Sequence, residues 1–132
     1  MEMSVGVLDH YNVSTRKLGD TVRFYEEVLG FKNGPRPPFD FPGAWLYSEG
    51  RPVLHLNDIS PTDKLQPPDS GVIDHVAFGS RGFDAVKAHL TRKGVPFRTN
   101  QVPNSARWQI FLHDPNNVLI ELNFDVANEG SA

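Results

Sequence analysis

An α+β fold built from two tandem copies of one small module is what the sequence predicts, each copy reading as a strand, a helix and about three further strands. Three observations lead there. Matching segments recur at a nearly constant spacing: Leu8 of LDHYNV and Ile73 of IDHVAF stand 65 residues apart, Trp45 of WLY and Gln109 of QIF 64 apart, and Leu54 of LHLN and Ile120 of IELN 66 apart. An offset kept across several kinds of element marks an internal repeat. Apolar residues alternate at a period of two in the strand-like segments and fall at helical spacing between them. Prolines gather between these patterns: four of the 11 lie in residues 34–43 (GPRPPFDFPG) and three in residues 58–71 (DISPTDKLQPPDSG). The expected organisation is a first module over 1–57, a linker over 58–71, a second module over 72–124 and a tail over 125–132.

In order along the chain, VLDHYNV (7–13) reads as a strand. Leu18, Val22, Tyr25 and Leu29 then share one helical stripe, and Gly30 follows as a C-terminal cap. The Pro-rich stretch 34–43 reads as a loop. AWLYS (44–48) and VLHLN (53–57) are short strands around a turn at 49–52. After the linker, IDHVAFG (73–79) is a strand, and Phe83, Val86 and Leu90 form a second helical stripe closed by Gly94. Residues 96–100 suit an edge strand, where Pro96 is tolerated. WQIFLH (108–113) and VLIELNF (118–124) form a hairpin around Asp114-Pro-Asn-Asn117.

Composition narrows the function. Apolar residues make up 39% and charged residues 22%, enough for a core and close to the usual soluble fraction. Lys and Arg total 13 against 16 Asp and Glu, a net charge of −3. No basic surplus exists to neutralise phosphates, so no nucleic-acid partner is expected. No apolar run approaches the ~20 residues that span a bilayer, so no membrane role is expected. MEMSVGVLDH lacks a basic stretch followed by an apolar one, and cysteine is absent. Disulfides, thiolate metal sites and a cysteine nucleophile are thereby excluded, and a cytoplasmic location is expected. Neither a Gly-rich phosphate loop after a strand nor a G-x-S-x-G elbow occurs.

Alternation assigns faces to the strands. Val118, Ile120, Leu122 and Phe124 share one face, and Leu119, Glu121 and Asn123 the other. Likewise Leu54 and Leu56 oppose His55 and Asn57, Tyr11 and Val13 oppose His10 and Asn12, and Val76 and Phe78 oppose His75 and Ala77. One face of each strand packs on its helix, and the opposite face carries His10, His55, His75 or Glu121. His10 repeats as His75, and His55 repeats as Glu121. Burying four such groups without a partner costs several kcal/mol. A shared divalent cation satisfies them together, and imidazole with carboxylate suits Fe2+, Mn2+, Ni2+, Co2+ or Zn2+. A metal-free cavity with polar and apolar walls is the competing reading. Leu46 and Ile110 match the helix-facing positions, so Trp45, Tyr47, Gln109 and Phe111 are expected to look into the cleft and bind substrate, with packing on the sheet an equal reading for Trp45. Arg107 could meet an anionic group there, although a solvated edge position is the plainer reading. His89 and His113 read as surface residues. The stretch 34–43, with Phe39 and Phe41, reads equally as a lid or a rigid connector.

LDHYNV (8–13), TVRFYEEVLGF (21–31), IDHVAF (73–78) and FLHDPNNVLIELNF (111–124) together resemble the vicinal oxygen chelate superfamily, which includes glyoxalase I, type I extradiol dioxygenases, fosfomycin-resistance enzymes, methylmalonyl-CoA epimerase and bleomycin-resistance proteins. The resemblance covers nearly the whole chain. It implies paired βαβββ modules whose curled mixed sheets enclose a metal-bearing cleft, with His10, His75 and Glu121 as metal ligands. His55 falls where glyoxalase I carries a carboxylate ligand and extradiol dioxygenases an acid/base histidine. It is therefore a fourth ligand or a catalytic proton carrier.

Departures from the family pattern matter. Phe111 stands where extradiol dioxygenases have a tyrosine, and it has no hydroxyl to donate to a catecholate. Asn117 replaces a frequent glycine, a mild change because asparagine tolerates positive φ. With His55 in place, only one carboxylate ligand remains. The function implied is a metal-dependent dioxygenase, lyase or isomerase acting on a small molecule with two neighbouring oxygens. The alternative is a metal-free sequestering protein of the bleomycin-resistance type. The family pairs its modules within one chain or across two chains, and a homodimer is expected here.

Overall fold

The computed structural model describes residues 2–3 and 7–128. The chain divides into two compact units, residues 1–66 and 67–132, each with the same element order. In the first, strand β1 (Tyr11–Thr15) leads into helix α1 (Leu18–Glu27), then β2 (Lys32–Gly34), β3 (Gly43–Ser48) and β4 (Arg51–Asp58). In the second, β5 (Val76–Ser80) and helix α2 (Phe83–Arg92) precede β6 (Arg98–Gln101), β7 (Arg107–His113) and β8 (Leu119–Asp125). The sheets run β1-β4-β3-β2 and β5-β8-β7-β6. Only the β1–β4 and β5–β8 pairs are parallel. Both are open, four-stranded mixed sheets of identical topology, as the repeat predicts. Among the described residues, no helix is long and apolar enough to cross a membrane.

Each sheet buries the face that alternation selects. In the first unit Val13, Ala44, Leu46, Leu54 and Leu56 pack with Tyr25 of α1 and Phe31 beyond it. Removing a side chain such as Leu54 from water contributes about 1.5–3 kcal/mol. Thr15 steers the chain into α1: its hydroxyl oxygen accepts the Lys17 amide at 3.0 Å, and Thr21 donates its own hydroxyl to the Lys17 carbonyl at 2.8 Å. In the second unit Phe83 and Leu90 of α2 meet Ile110, Leu112, Ile120, Leu122 and Phe124. Gly94, at φ +68°, ends α2 by letting the Val95 amide reach back to Leu90 and its own amide to Thr91. Gly30 plays the expected role after α1 at φ +74°.

The β3–β4 hairpin closes on Glu49 and Gly50, both at positive φ, the two-residue turn that matches strand twist. The β7–β8 connection is built around buried Asp114, whose Oδ1 accepts the amides of Asn116 at 2.7 Å and Val118 at 2.9 Å. Asn117 there takes φ +64°, the conformation its side chain tolerates. Arg16 holds the segment after β4 by donating to the carbonyls of Ile59, Ser60, Thr62 and Lys64.

Several boundaries differ from the sequence expectation. The strand expected over 7–13 begins at Tyr11 and the one over 73–79 at Val76, where the parallel ladders start with the Tyr11–Leu54 and Val76–Ile120 pairs. His10 and His75 therefore sit one residue before their strands, outside the ladder. Helix α1 stops at Glu27, leaving Leu29 beyond it. The edge strand β6 starts at Arg98, past Pro96. The further strand expected after α1 is β2, to which no segment had been assigned: Lys32, Asn33 and Gly34 are polar or small and pair only with β3.

Candidate metal and substrate site

Two pairs of potential ligands lie on the sheets, one pair per unit, and they are supported differently. In the first unit the ring of His10 stacks on that of His55, with centroids 3.8 Å apart and planes at 14°. His55 in turn stacks on Trp45 at 4.0 Å and 8°. Trp45 and His55 face each other directly across the β3–β4 ladder, which aligns these two rings. The Nε2–H of His55 donates to the Pro52 carbonyl at 3.2 Å. Burial, and then the neighbouring His10 charge, hold the His55 imidazole below the usual histidine range, against the opposing pull of the Pro52 carbonyl. Both effects favour the neutral form of the ring.

In the second unit Nε2 of His75 lies 3.6 Å from Oε1 of Glu121. That is too long for a hydrogen bond. It is close to the spacing of two donors that each sit about 2.0–2.2 Å from one ion. The other carboxylate oxygen is engaged: Asn123 donates its side-chain amide to Glu121 Oε2 at 2.7 Å. Gln109 donates to Asn123 at 3.2 Å, and Asn100 donates to Gln109 at 2.8 Å. Three side-chain amides from β6, β7 and β8 thus point their N–H groups one after another toward the Glu121 carboxylate.

One arrangement occurs in both units. Asp9 Oδ2 accepts Nδ1–H of His10 at 2.7 Å, and Asp74 Oδ2 accepts Nδ1–H of His75 at 2.9 Å. The hydrogen bond from His10 is the first cause that holds the Asp9 carboxyl below the usual carboxylate range. A proton fixed on Nδ1 leaves Nε2 with its lone pair, the tautomer a metal ligand needs, and carboxylate-backed imidazoles are typical of metal sites. Two imidazoles and a carboxylate are hard or borderline donors that suit a divalent transition metal. Among the described residues, no three His, Cys, Asp or Glu side chains are gathered at one point where they could hold a metal ion.

The remaining expected residues are placed as follows. Leu46 and Ile110 are fully buried against the helices, so Trp45, Tyr47, Gln109 and Phe111 occupy the opposite sheet faces. Tyr47 donates its hydroxyl to the Pro35 carbonyl at 2.6 Å and so anchors the Pro-rich stretch. Phe111 lies under the Arg98 guanidinium at 4.1 Å. Arg107 and His113 are exposed. In the Pro-rich stretch Phe39 and Phe41 stack at 5.2 Å, Arg36 lies 5.0 Å from each ring, and Phe39 reaches Trp45 at 6.4 Å. Sequence reasoning overlooked Asp9, Asp74, Asn100 and the partner role of Asn123. An aspartate before each repeated histidine was the available signal, and alternation had already put Asn123 on the Glu121 face.

The family model of the Glyoxalase/Bleomycin resistance protein/Dioxygenase superfamily matches residues 7–122. The chain is 30% identical over 124 residues to "Glyoxylase I 4" of Arabidopsis thaliana, covering 87% of this chain and 68% of that protein. Its fold is similar to that of a Bacillus anthracis protein assigned to the glyoxalase family, with a TM-score of 0.76, 20% identity and coverage of 94% and 98%. It is also similar to TnmS3, an antibiotic binding protein from Streptomyces sp. CB03234, with a TM-score of 0.70, 21% identity and coverage of 93% and 98%. With the family model spanning both repeated units, the chain belongs to the Glyoxalase/Bleomycin resistance protein/Dioxygenase superfamily.

Proposed function

We propose that this protein is a metal-dependent lyase or isomerase that takes a small substrate through two neighbouring oxygens, with His10, His75 and Glu121 as the ligands of one divalent transition metal. The observation that carries the reading is the carboxylate-backed imidazole, repeated in both units with Nε2 left free. The 3.6 Å approach of His75 to Glu121 supports it. Such an ion, when bound, supplies Lewis-acid stabilisation of the negative charge that develops on substrate oxygens.

The chain's own residues do the rest. Asp9 and Asp74 hold the Nδ1 protons and set the direction of both Nε2 lone pairs. Asn123, backed by Gln109 and Asn100, occupies Oε2 of Glu121 and leaves Oε1 for ligation. Trp45 and Phe39 offer flat apolar surface to the carbon skeleton of the substrate. Phe111 presents a hydrocarbon ring where a catecholate would need a donor, which favours lyase or isomerase chemistry over ring cleavage. A homodimer is the proposed assembly.

Elemental analysis of the purified protein tests this reading. Stoichiometric transition metal, lost in His10→Ala and Glu121→Ala, is the expected result. Metal-loaded protein is then assayed with methylglyoxal plus glutathione, and separately with catechols in air. Failure to take up metal after reconstitution would overturn the proposal in favour of a sequestering protein, and ring-cleavage absorbance would replace the lyase assignment.

A further inference from the structure

The slot occupied by Glu121 in the second unit is occupied by His55 in the first, yet the two side chains are held in unlike ways. Glu121 turns an oxygen toward His75, whereas His55 turns a ring face toward His10. We infer that His55 is a positioning residue: it fixes the plane of the His10 imidazole by stacking and contributes no nitrogen to the metal or to proton transfer. The inference rests on the reading of His10 as a ligand.

Geometry carries it. An imidazole lone pair lies in the ring plane, so two rings that share an ion must aim their edges at it. The rings of His10 and His55 are only 14° from parallel and 3.8 Å apart. An ion in the plane of His10 therefore lies about a full stacking distance above the plane of His55, well beyond the ~2.0–2.1 Å of a metal–nitrogen bond. Nε2 of His55 also carries its proton toward the Pro52 carbonyl, which can only accept. The far face is covered by Trp45 at 4.0 Å. His55 sits on β4 between β1 and β3, paired with Asn12 on one side and Trp45 on the other, so its ring stands on two ladders. His10 lies outside the ladder and has a side chain 39% exposed. Among the described residues, the Asp9 hydrogen bond and the stack on His55 fix its orientation.

The test compares His55→Phe, which keeps a flat ring and removes both nitrogens, with His55→Leu, which keeps bulk and removes the stack. His55→Ala replaces the leucine variant if the latter fails to fold. Two readouts are taken on the full chain. The first is the upfield ring-current shift of the His10 ring protons in metal-free protein. The second is Co2+ affinity by titration. Wild-type and His55→Phe should share the upfield shift and bind Co2+ alike, while His55→Leu should lose the shift and bind about 10–100-fold more weakly, the usual cost of losing a ligand's support. If the phenylalanine variant binds as poorly as the leucine variant, a nitrogen of His55 is at work and the inference is overturned. It is also overturned if the leucine variant keeps both the shift and the affinity. Should wild-type protein take up no Co2+, the functional reading falls, and the ring-current comparison still decides the stacking claim by itself.

Discussion

Asn123 donates its side-chain amide to Oε2 of Glu121 at 2.7 Å, and so determines which oxygen of that carboxylate remains to face His75. The donor is itself the end of a chain through Gln109 to Asn100. Replacing Asn123 with leucine leaves a half-buried carboxylate with one oxygen unpartnered and free to rotate. The expected outcome is a loss of metal affinity of about 10–100-fold with no loss of fold. Isothermal titration with Co2+ or Ni2+ checks it, and an affinity equal to wild-type refutes the role of the amide chain.

The two aspartates back different proposed ligands, so their effects should add. Asp9→Asn and Asp74→Asn keep a hydrogen-bond acceptor and remove the negative charge behind each ring. Each single variant should weaken metal binding by about tenfold, and the double variant by about a hundredfold. Both side chains are highly exposed, so thermal stability of the metal-free protein should change little. A large drop in the melting temperature would point to a structural role instead.

Much of this site was legible in the sequence, and what was not has a physical reason. The repeat of LDH and IDH, and of LHLN and IELN, singled out His10, His75, His55 and Glu121 as candidates because tandem modules put equivalent residues at equivalent positions. Period-two alternation foretold that Leu46 and Ile110 would be buried, and both are. Where a strand begins was harder to read, since the first paired residues, Tyr11 with Leu54 and Val76 with Ile120, carry no local signal that separates them from the residues before them. Strand β2 was missed because an exposed three-residue edge needs no apolar pattern. The stack of His10 on His55 depends on side-chain rotation, which a face assignment leaves open. The sequence therefore left His55 open between ligand and proton carrier.

Asp58, at the end of β4, supplies a pH dependence. Hydrogen bonds from the Ser60 hydroxyl and the Ser60 amide, the latter at 2.8 Å, lower its pKa first, and Arg16 adds to them. The folded pKa is thus below the unfolded value of about 3.9. Between those two values the unfolded chain binds more protons, so this contribution to stability is complete above about pH 4 and fades as the pH falls through the folded pKa. Urea unfolding at a series of pH values should show Asp58→Ala losing less stability than wild-type below pH 4. Parallel curves would mean that the carboxylate has no net role.

Gly43 offers a test of the sheet that carries His55. A Cβ on this residue would lie 2.2 Å from the backbone oxygen of Leu56 and 3.0 Å from Arg36 Nη2. The first contact is with a backbone atom of the neighbouring β4 strand, which cannot rotate away, so β3 and β4 would have to separate beside the Trp45–His55 pair. Gly50, in the turn that joins them, has φ +78° and open space around it, so alanine there meets only the cost of a left-handed backbone. Gly43→Ala should destabilise the protein by about 3 kcal/mol, at the upper end of ordinary substitutions, and Gly50→Ala by about 1 kcal/mol. Both should appear as lower urea midpoints with an unchanged slope. Only Gly43→Ala should also disturb the His10 ring-proton shifts, because only that change moves the strand behind the stacked rings. Equal effects at the two glycines would mean that the close approach of β3 to β4 is relieved without moving His55.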